Sequence, residues 1–366
     1  MSTFKERFHW WWTGKYPNER PSVGGQAVME GVMMRGTKCS AIAVRKGDGT
    51  ITYVTKPIKK PADKHKWMGW PFVRGAVSMV TMLGTGMKTL EESSKMGGVE
   101  DEQPTKFELW LAKKLGKGVD KVVMGLAIVL AVCLSVGLFV LIPNAIIKLF
   151  PTAATGGMLL LKNLVTGLVR TAILLGYMAF CRSIPDMKRV FRYHGAEHKT
   201  VYCHEADLPL TPENARPFTT LHPRCGTSFL LITFILSIVF YSIVDVVVLM
   251  VSGYDLGAHY LLRVLSRVIL LPVVAGISYE ALKGLAHSEN KLCRILRAPG
   301  MQLQRLTTAE PDDSMLEVAI VSMKAALGDM PDGPLTPEGY VIAIPAPGKE
   351  EQPADAPAPA QEEPQA

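Results

Sequence analysis

The sequence has no CxxC pair and no cysteine cluster. Its six cysteines, at positions 39, 133, 181, 203, 225 and 293, are scattered along 366 residues. That scatter excludes a disulfide framework and points to reduced thiols facing the cytosol. An apolar core ahead of a small-residue cleavage site is missing from MSTFKERFHWWWTGKYPNER, so a cleavable signal peptide is not expected. No Gly-Lys-Ser/Thr completes a phosphate-binding loop, because GGQAVMEGVMMRGTK (24–38) and GTGMKT (84–89) both lack it. No nucleic-acid recognition motif accompanies the net charge of +7, so nucleic acid is not an expected partner. No internal repeat is visible.

Runs without charge, by contrast, are long. Apolar residues make up 48% of the chain, which suggests a membrane protein rather than two soluble domains. Val122 to Ile142 carries no charge over 21 residues, enough to cross ~30 Å of hydrocarbon at 1.5 Å per residue. Cys225 to Val244 is a second such run. Asn163 to Cys181, interrupted by Arg170, and Leu261 to Tyr279, with Arg263 and Arg267 in its first turns, complete a count of four. The segment from about 182 to 224 holds seven Lys and Arg, whereas the loops at about 143–162 and 252–260 hold only Lys148 and Lys162. The positive-inside rule therefore puts residues 182–224 and both termini in the cytoplasm, with Trp10, Trp11 and Trp12 suited to the headgroup layer.

The rest divides by composition. Residues 1–20 form an aromatic and basic interfacial N-terminus. Residues 21–118 form a cytoplasmic α+β segment, with a β-hairpin around Gly47-Asp48-Gly49 and a short helix from Gly75 to Met87 that is interfacial, re-entrant or packed on the bundle. Residues 119–281 form the four-span domain, with a metal-motif loop at 182–225. Residues 282–343 form a cytoplasmic C-terminal segment with a helix from about Ser314 to Leu327. Residues 344–366, rich in Pro, Ala, Glu and Gln, have no core-forming pattern and read as disordered. The expected fold class is thus a mostly α membrane protein with an N-terminal α+β segment.

Between the runs at 163–181 and 225–244 lies RYHGAEHKTVYCHE, Arg192 to Glu205. His194, Glu197 and His198 spell H-x-x-E-H. On a helix, i and i+4 share a face, so both imidazoles can reach one ion with the glutamate beside them. In inverted zincins this spacing lets two histidines hold zinc while the glutamate handles the proton of the attacking water. Gly195 inside the motif weakens such a helix by ~1 kcal/mol relative to Ala. Further ligands are at hand in His204, Glu205, His222 and Cys225. If His194, His198, His222 and Cys225 all bound, the site would be closed and structural; three ligands would leave room for a water. A polar, metal-free interfacial loop is the bland alternative. Cys203 is expected as a small buried hydrophobe. Glu30 and Arg35, charged islands in an apolar run, either pair with each other in a bend or line a site. Glu280, at the cytoplasmic end of the fourth run, either faces that cavity or is an ordinary interfacial glutamate.

Five stretches, GGQAVMEGVMMRG, HGAEHKTVYCHE, HPRCGTSF, GISYE and PGMQLQRLTTAEPDDSMLEVAI, resemble the YqhQ-like family of bacterial membrane proteins. The resemblance covers roughly residues 20–325 and implies a multi-pass protein of the bacterial cytoplasmic membrane and a metal-dependent enzyme. Carried over by residue, it points to His194, Glu197, His198, His204, Glu205, His222 and Cys225.

The expectation is a metal-dependent hydrolase at the cytoplasmic face. Its cofactor would be a divalent ion, zinc first, with Glu197 as general base. His194 and His198 would be ligands, and His222, Glu205 or His204 the third. Its partners would be membrane lipid and a membrane peptide, protein or lipid substrate. The alternative is a non-enzymatic scaffold with a structural metal or none. A transporter fits poorly, since Arg170 and Asp245 are possible intramembrane charges but no duplication accompanies them.

Overall fold

The computed structural model describes residues 23–37, 39–58, 61–98, 119–147, 156–253, 260–286, 290–330 and 333–345. The tryptophans at 10–12 and the tail beyond 345 lie outside them. The apolar run before residue 36 folds as a hairpin of β1 (Gly24–Val28) and β2 (Gly31–Arg35), with Val28 opposite Gly31. β2 pairs with β3 (Cys39–Arg45), and β3 with β4 (Ile51–Pro57), which is the expected hairpin around Gly47-Asp48-Gly49. β5 (Val341–Ile344) adds to the far edge of β4, giving an antiparallel sheet in the order β1-β2-β3-β4-β5. The C-terminal segment therefore completes the N-terminal sheet. Ile344, expected as the first residue of a disordered tail, instead ends a strand.

Period-2 alternation gives this sheet two buried faces. Val32, Met34, Ala41 and Ala43 pack with Tyr193 and Ala196 of α4 (Pro185–Glu205) and with Leu316 and Ala319 of α8 (Asp313–Leu327). Val28, Met33, Ile42 and Val44 pack on the other side with Met96 of α1 (Val73–Gly97). α8 starts where the Asp312 side chain accepts from Met315 N, so the helix begins at Asp313, one residue before the expected start at about Ser314.

α1 is longer than the helix expected at 75–87, running on through Glu91, Glu92 and Lys95 to a left-handed cap at Gly98. It is fixed to α6 (Tyr260–Ala286) by a bidentate ion pair, Arg74 Nε and Nη2 to Glu280 Oε1 and Oε2 at 2.7 and 2.6 Å. The two side chains are only 11% and 7% exposed. Phe72 N, at 3.3 Å, donates to the same carboxylate. Removing one member of so dry a pair leaves the other charge stranded. Arg74→Ala is therefore expected to lower stability by about 3–5 kcal/mol, and joint replacement of Arg74 and Glu280 by apolar residues by less. Melting curves in detergent check this; equal effects of the single and joint replacements would contradict it.

Three helices, Gly157–Ser183 within α3 (Gly156–Ser183), Gly226–Ser252 (α5) and Leu262–Leu285 within α6, are long and apolar enough to cross a membrane. The run at 122–142, the longest uncharged one, is helical as α2 (Val119–Val136), passes through a π turn at Gly137–Leu141 and continues as helix to Ile147. Its apolar part, Gly125–Phe139, is shorter than the other three. Among the described residues, then, three of the four expected runs form helices of spanning length, and the fourth run is helical as well. The segment expected as a metal-motif loop at 182–225 is also corrected. Only Ile184 separates α3 from α4, and α4, opened by Pro185 at its first turn, carries the whole histidine motif. α7 (Lys291–Thr307) follows α6 and packs against α5.

Candidate metal centre

α4 is buried on every side from Gly195 to Val201, so its polar residues lie in the core rather than on a surface. Ala309 N donates to Phe191 O at 2.9 Å, laying the chain after α7 along the helix. At Gly195 the Ala309 carbonyl comes so close that a Cβ would lie far inside van der Waals contact, with Thr220 Cγ2 on its other side at 3.2 Å. The glycine that looked like a weakness in the helix is what admits these two neighbours.

The stretches that carry these two neighbours also orient imidazoles. His194 Nδ1 donates to Thr307 O at 2.8 Å, and His198 Nδ1 to Thr220 O. A carbonyl can only accept, so each Nδ1 carries the proton and each Nε2 keeps its lone pair. His194 Nε2 lies 3.3 Å from Cys225 Sγ, at the N-cap of α5, and His198 Nε2 is buried with no hydrogen-bond partner. One ligand atom each from His194, His198 and Cys225 lie within 4.8 Å of one another. This is a His-His-Cys group able to hold a metal ion, with the orienting hydrogen bonds that ligating histidines use.

Glu197 lies beside it. Gly25 N donates to its Oε1 at 2.8 Å, and its Oε2 is 3.8 Å from His194 Nε2. A Cβ at Gly25 would press on Glu197 Cγ at 2.9 Å, so β1 approaches the carboxylate through a bare backbone. The group opens on a cavity of about 560 Å³ among β1, β2, α1, α4 and α6, into which Glu197, His198 and Cys225 project with Met33, Arg35 and Met82.

Residues 70–329 match the family described as "Protein of unknown function (DUF1385)". The chain is also 36% identical over 311 residues to "Uncharacterized protein YqhQ" of Bacillus subtilis (strain 168), covering 84% of this chain and 92% of that protein. It belongs to this family. No solved structure matches.

The other expected site residues of this DUF1385 member are placed as follows. His222 lines the cavity; its ring centroid is 5.7 Å from that of His198, and its Nε2 is buried without a hydrogen bond. Burial pushes its pKa down to about 4 against the opposing pull of the Glu197 charge, so it is neutral near pH 7. Glu205 pairs with Arg224 and lies 3.6 Å from His222 Nε2, apart from the His-His-Cys group. His204, half-buried on another side of α4, does not line the cavity. Cys203 is buried, its Sγ 3.5 Å from Pro209 O, and burial raises its pKa. Glu30 does not pair with Arg35. It sits in the β1–β2 turn at φ 52° and accepts from Arg189 Nε and Nη2 at 2.5 Å, while Arg35 lines the cavity. Glu280 is taken up by Arg74 and is not in the cavity wall.

Sequence reasoning missed Gln304. Its side chain clamps the His222 backbone, Oε1 accepting from His222 N and Nε2 donating to His222 O, each at 2.7 Å, and Nε2 also donates to Ser228 Oγ at 2.8 Å. A polar residue on the inner side of the amphipathic α7 was its one sequence signal.

Proposed function

We propose that this chain is a membrane-embedded, metal-dependent hydrolase whose centre is His194, His198 and Cys225, working at the cytoplasmic face. The observation that carries the reading is the pair of imidazoles whose Nδ1 protons go to backbone carbonyls, with His194 Nε2 against the Cys225 thiol and one ligand atom of each of the three residues within 4.8 Å of the others. Three ligands beside an open cavity match a catalytic rather than a closed zinc site. Zinc held there supplies Lewis-acid polarisation and an activated water near neutral pH. Glu197 is the general base: Gly25 N fixes Oε1, leaving Oε2 to take the proton. Arg35 and Arg224 line the same cavity as Met33, Met79, Met82 and Leu282, a combination suited to an anionic group on an apolar body. A membrane lipid or a membrane peptide has that character.

Placement at the inner surface is supported by charge and by α7. The positive-inside bias puts residues 182–224 in the cytoplasm. α7 exposes Leu292, Ile295 and Leu296 next to Lys291, Arg294 and Arg297, the composition of a helix lying in the headgroup layer, and its other end holds His222 through Gln304.

A second reading, a scaffold with a closed structural metal, is favoured by His222, whose buried Nε2 makes no hydrogen bond among the described residues and whose ring lies 5.7 Å from that of His198. In either case protein purified in detergent is expected to hold about one zinc per chain, and His194→Ala almost none. Elemental analysis of both checks this, and full metal in the variant would overturn the centre. Glutamine at position 197 separates the two readings.

A further inference from the structure

We propose that a second cavity, at the other end of the helical bundle, binds the phosphate group of a membrane phospholipid. It has a volume of about 290 Å³, lies among α3, α5 and α6, and is lined by Arg170, Arg263 and Arg267 together with Asn163 and Tyr241.

The charges are unusual for such a place. Asp245 is fully buried in α5. Its Oδ2 accepts from Arg267 Nη2 at 2.6 Å, from Asn163 Nδ2 at 3.0 Å and from Arg263 Nη2 at 3.3 Å. Arg263 Nη2 also donates to Asn163 Oδ1 at 2.5 Å. Two guanidiniums thus share one carboxylate, and a third, on Arg170, lines the same space. Arg267 also has a second buried nitrogen, Nη1, with no acceptor among the described residues. The Tyr241 ring lies 4.5 Å from its guanidinium carbon, and Tyr241 OH donates to Arg267 O, so the side chain is held in place from beneath. A guanidinium fork held in place with a donor left over, as on Arg267, fits the oxygens of a phosphate, which it binds in bidentate fashion. Asp245 does not line the cavity; it sets the arginines behind the ligand.

Position and walls indicate where the phosphate comes from. Twenty helical residues separate Cys225 from Asp245 on α5, about 30 Å at 1.5 Å per residue, which is the thickness of the hydrocarbon layer. With the metal centre at the inner surface, the orientation proposed above, the arginines lie at the level of the outer-leaflet headgroups. Arginines on that side run against the positive-inside bias, so topology does not account for them. Below them the cavity wall is apolar, with Phe234, Ile238, Val268 and Leu271 available to an acyl chain. Free phosphate would leave this wall empty.

The test uses full-length protein, delipidated in detergent and titrated in native mass spectrometry with phosphatidylglycerol, inorganic phosphate and phosphate-free diacylglycerol. Wild type is expected to take up one phosphatidylglycerol saturably and no diacylglycerol. Arg170→Gln and Arg267→Gln are each expected to weaken that uptake about tenfold or more. Unchanged lipid-free melting of Arg170→Gln shows that its loss of binding is not misfolding. Zinc content, unchanged in these variants, separates failure here from failure of the metal centre. Saturable uptake of inorganic phosphate without phosphatidylglycerol would overturn the lipid source. No saturable adduct, or equal phosphatidylglycerol uptake by wild type and both arginine variants, would overturn the site.

Discussion

Glu197→Gln is expected to abolish turnover while leaving the metal and the fold in place. Glutamine keeps the shape of the side chain, and its amide oxygen can still accept from Gly25 N, the bond that fixes the glutamate at 2.8 Å. What disappears is the capacity to take a proton, which general-base catalysis values at about 10²–10⁴ in rate. Glu197→Ala would be a poorer test, since it strands the Gly25 N–H at a cost of about 1–3 kcal/mol. The measurement is rescue of a deletion strain by wild type and by the variant, alongside zinc content and melting temperature of both proteins. A metal-loaded, fully folded variant that rescues as well as wild type would sink the hydrolase reading and leave the scaffold.

Much of the sheet could be read from the chain because its signals are local. The hairpin at 39–57 has alternating residues around a glycine-flanked aspartate, and it formed as expected. The hairpin before it was missed because its two-residue turn is Met29-Glu30, which lacks any turn-forming dipeptide. Its strands also read as one apolar run, because α1 covers one face of the sheet while α4 and α8 cover the other. β5 could not be anticipated, since nothing local in Val341–Ile344 says that β4, almost three hundred residues earlier, offers it an edge. The π turn within the helix of the 122–142 run has no counterpart in hydropathy, which counts apolar residues and not backbone hydrogen bonds.

At the candidate centre, helical spacing alone joined His194, Glu197 and His198. The choice among further ligands was tertiary. Cys225 meets His194 because α5 begins beside α4, whereas Glu205, nearer in sequence, turns to Arg224. The carbonyls of Thr220 and Thr307 that fix the tautomers are backbone groups and leave no mark in side-chain chemistry. Glu30 was matched to Arg35 on proximity in the chain, but both lie in one hairpin. The turn carries Glu30 to Arg189 on α4 instead.

Gly195→Ala is expected to reduce both stability and metal affinity, against its helix propensity. Alanine should favour α4 by ~1 kcal/mol. Its methyl group, however, would meet the Ala309 carbonyl, which is backbone and cannot rotate aside, and Thr220 stands close on the other side. Overpacking of this kind costs about 1–3 kcal/mol or more, so sterics win. The strain falls on the two stretches that orient the ligands, because Thr307 precedes Ala309 by two residues and Thr220 holds His198 through its own carbonyl. Moving either stretch frees an imidazole to rotate, and loss of such an orienting bond weakens metal binding by about 10–100-fold. Thermal melts and zinc competition measure the two effects separately. A variant as stable as wild type and binding zinc as tightly would show that the 308–310 stretch does not lie against the helix. The bracing of the metal centre would then have to come from elsewhere.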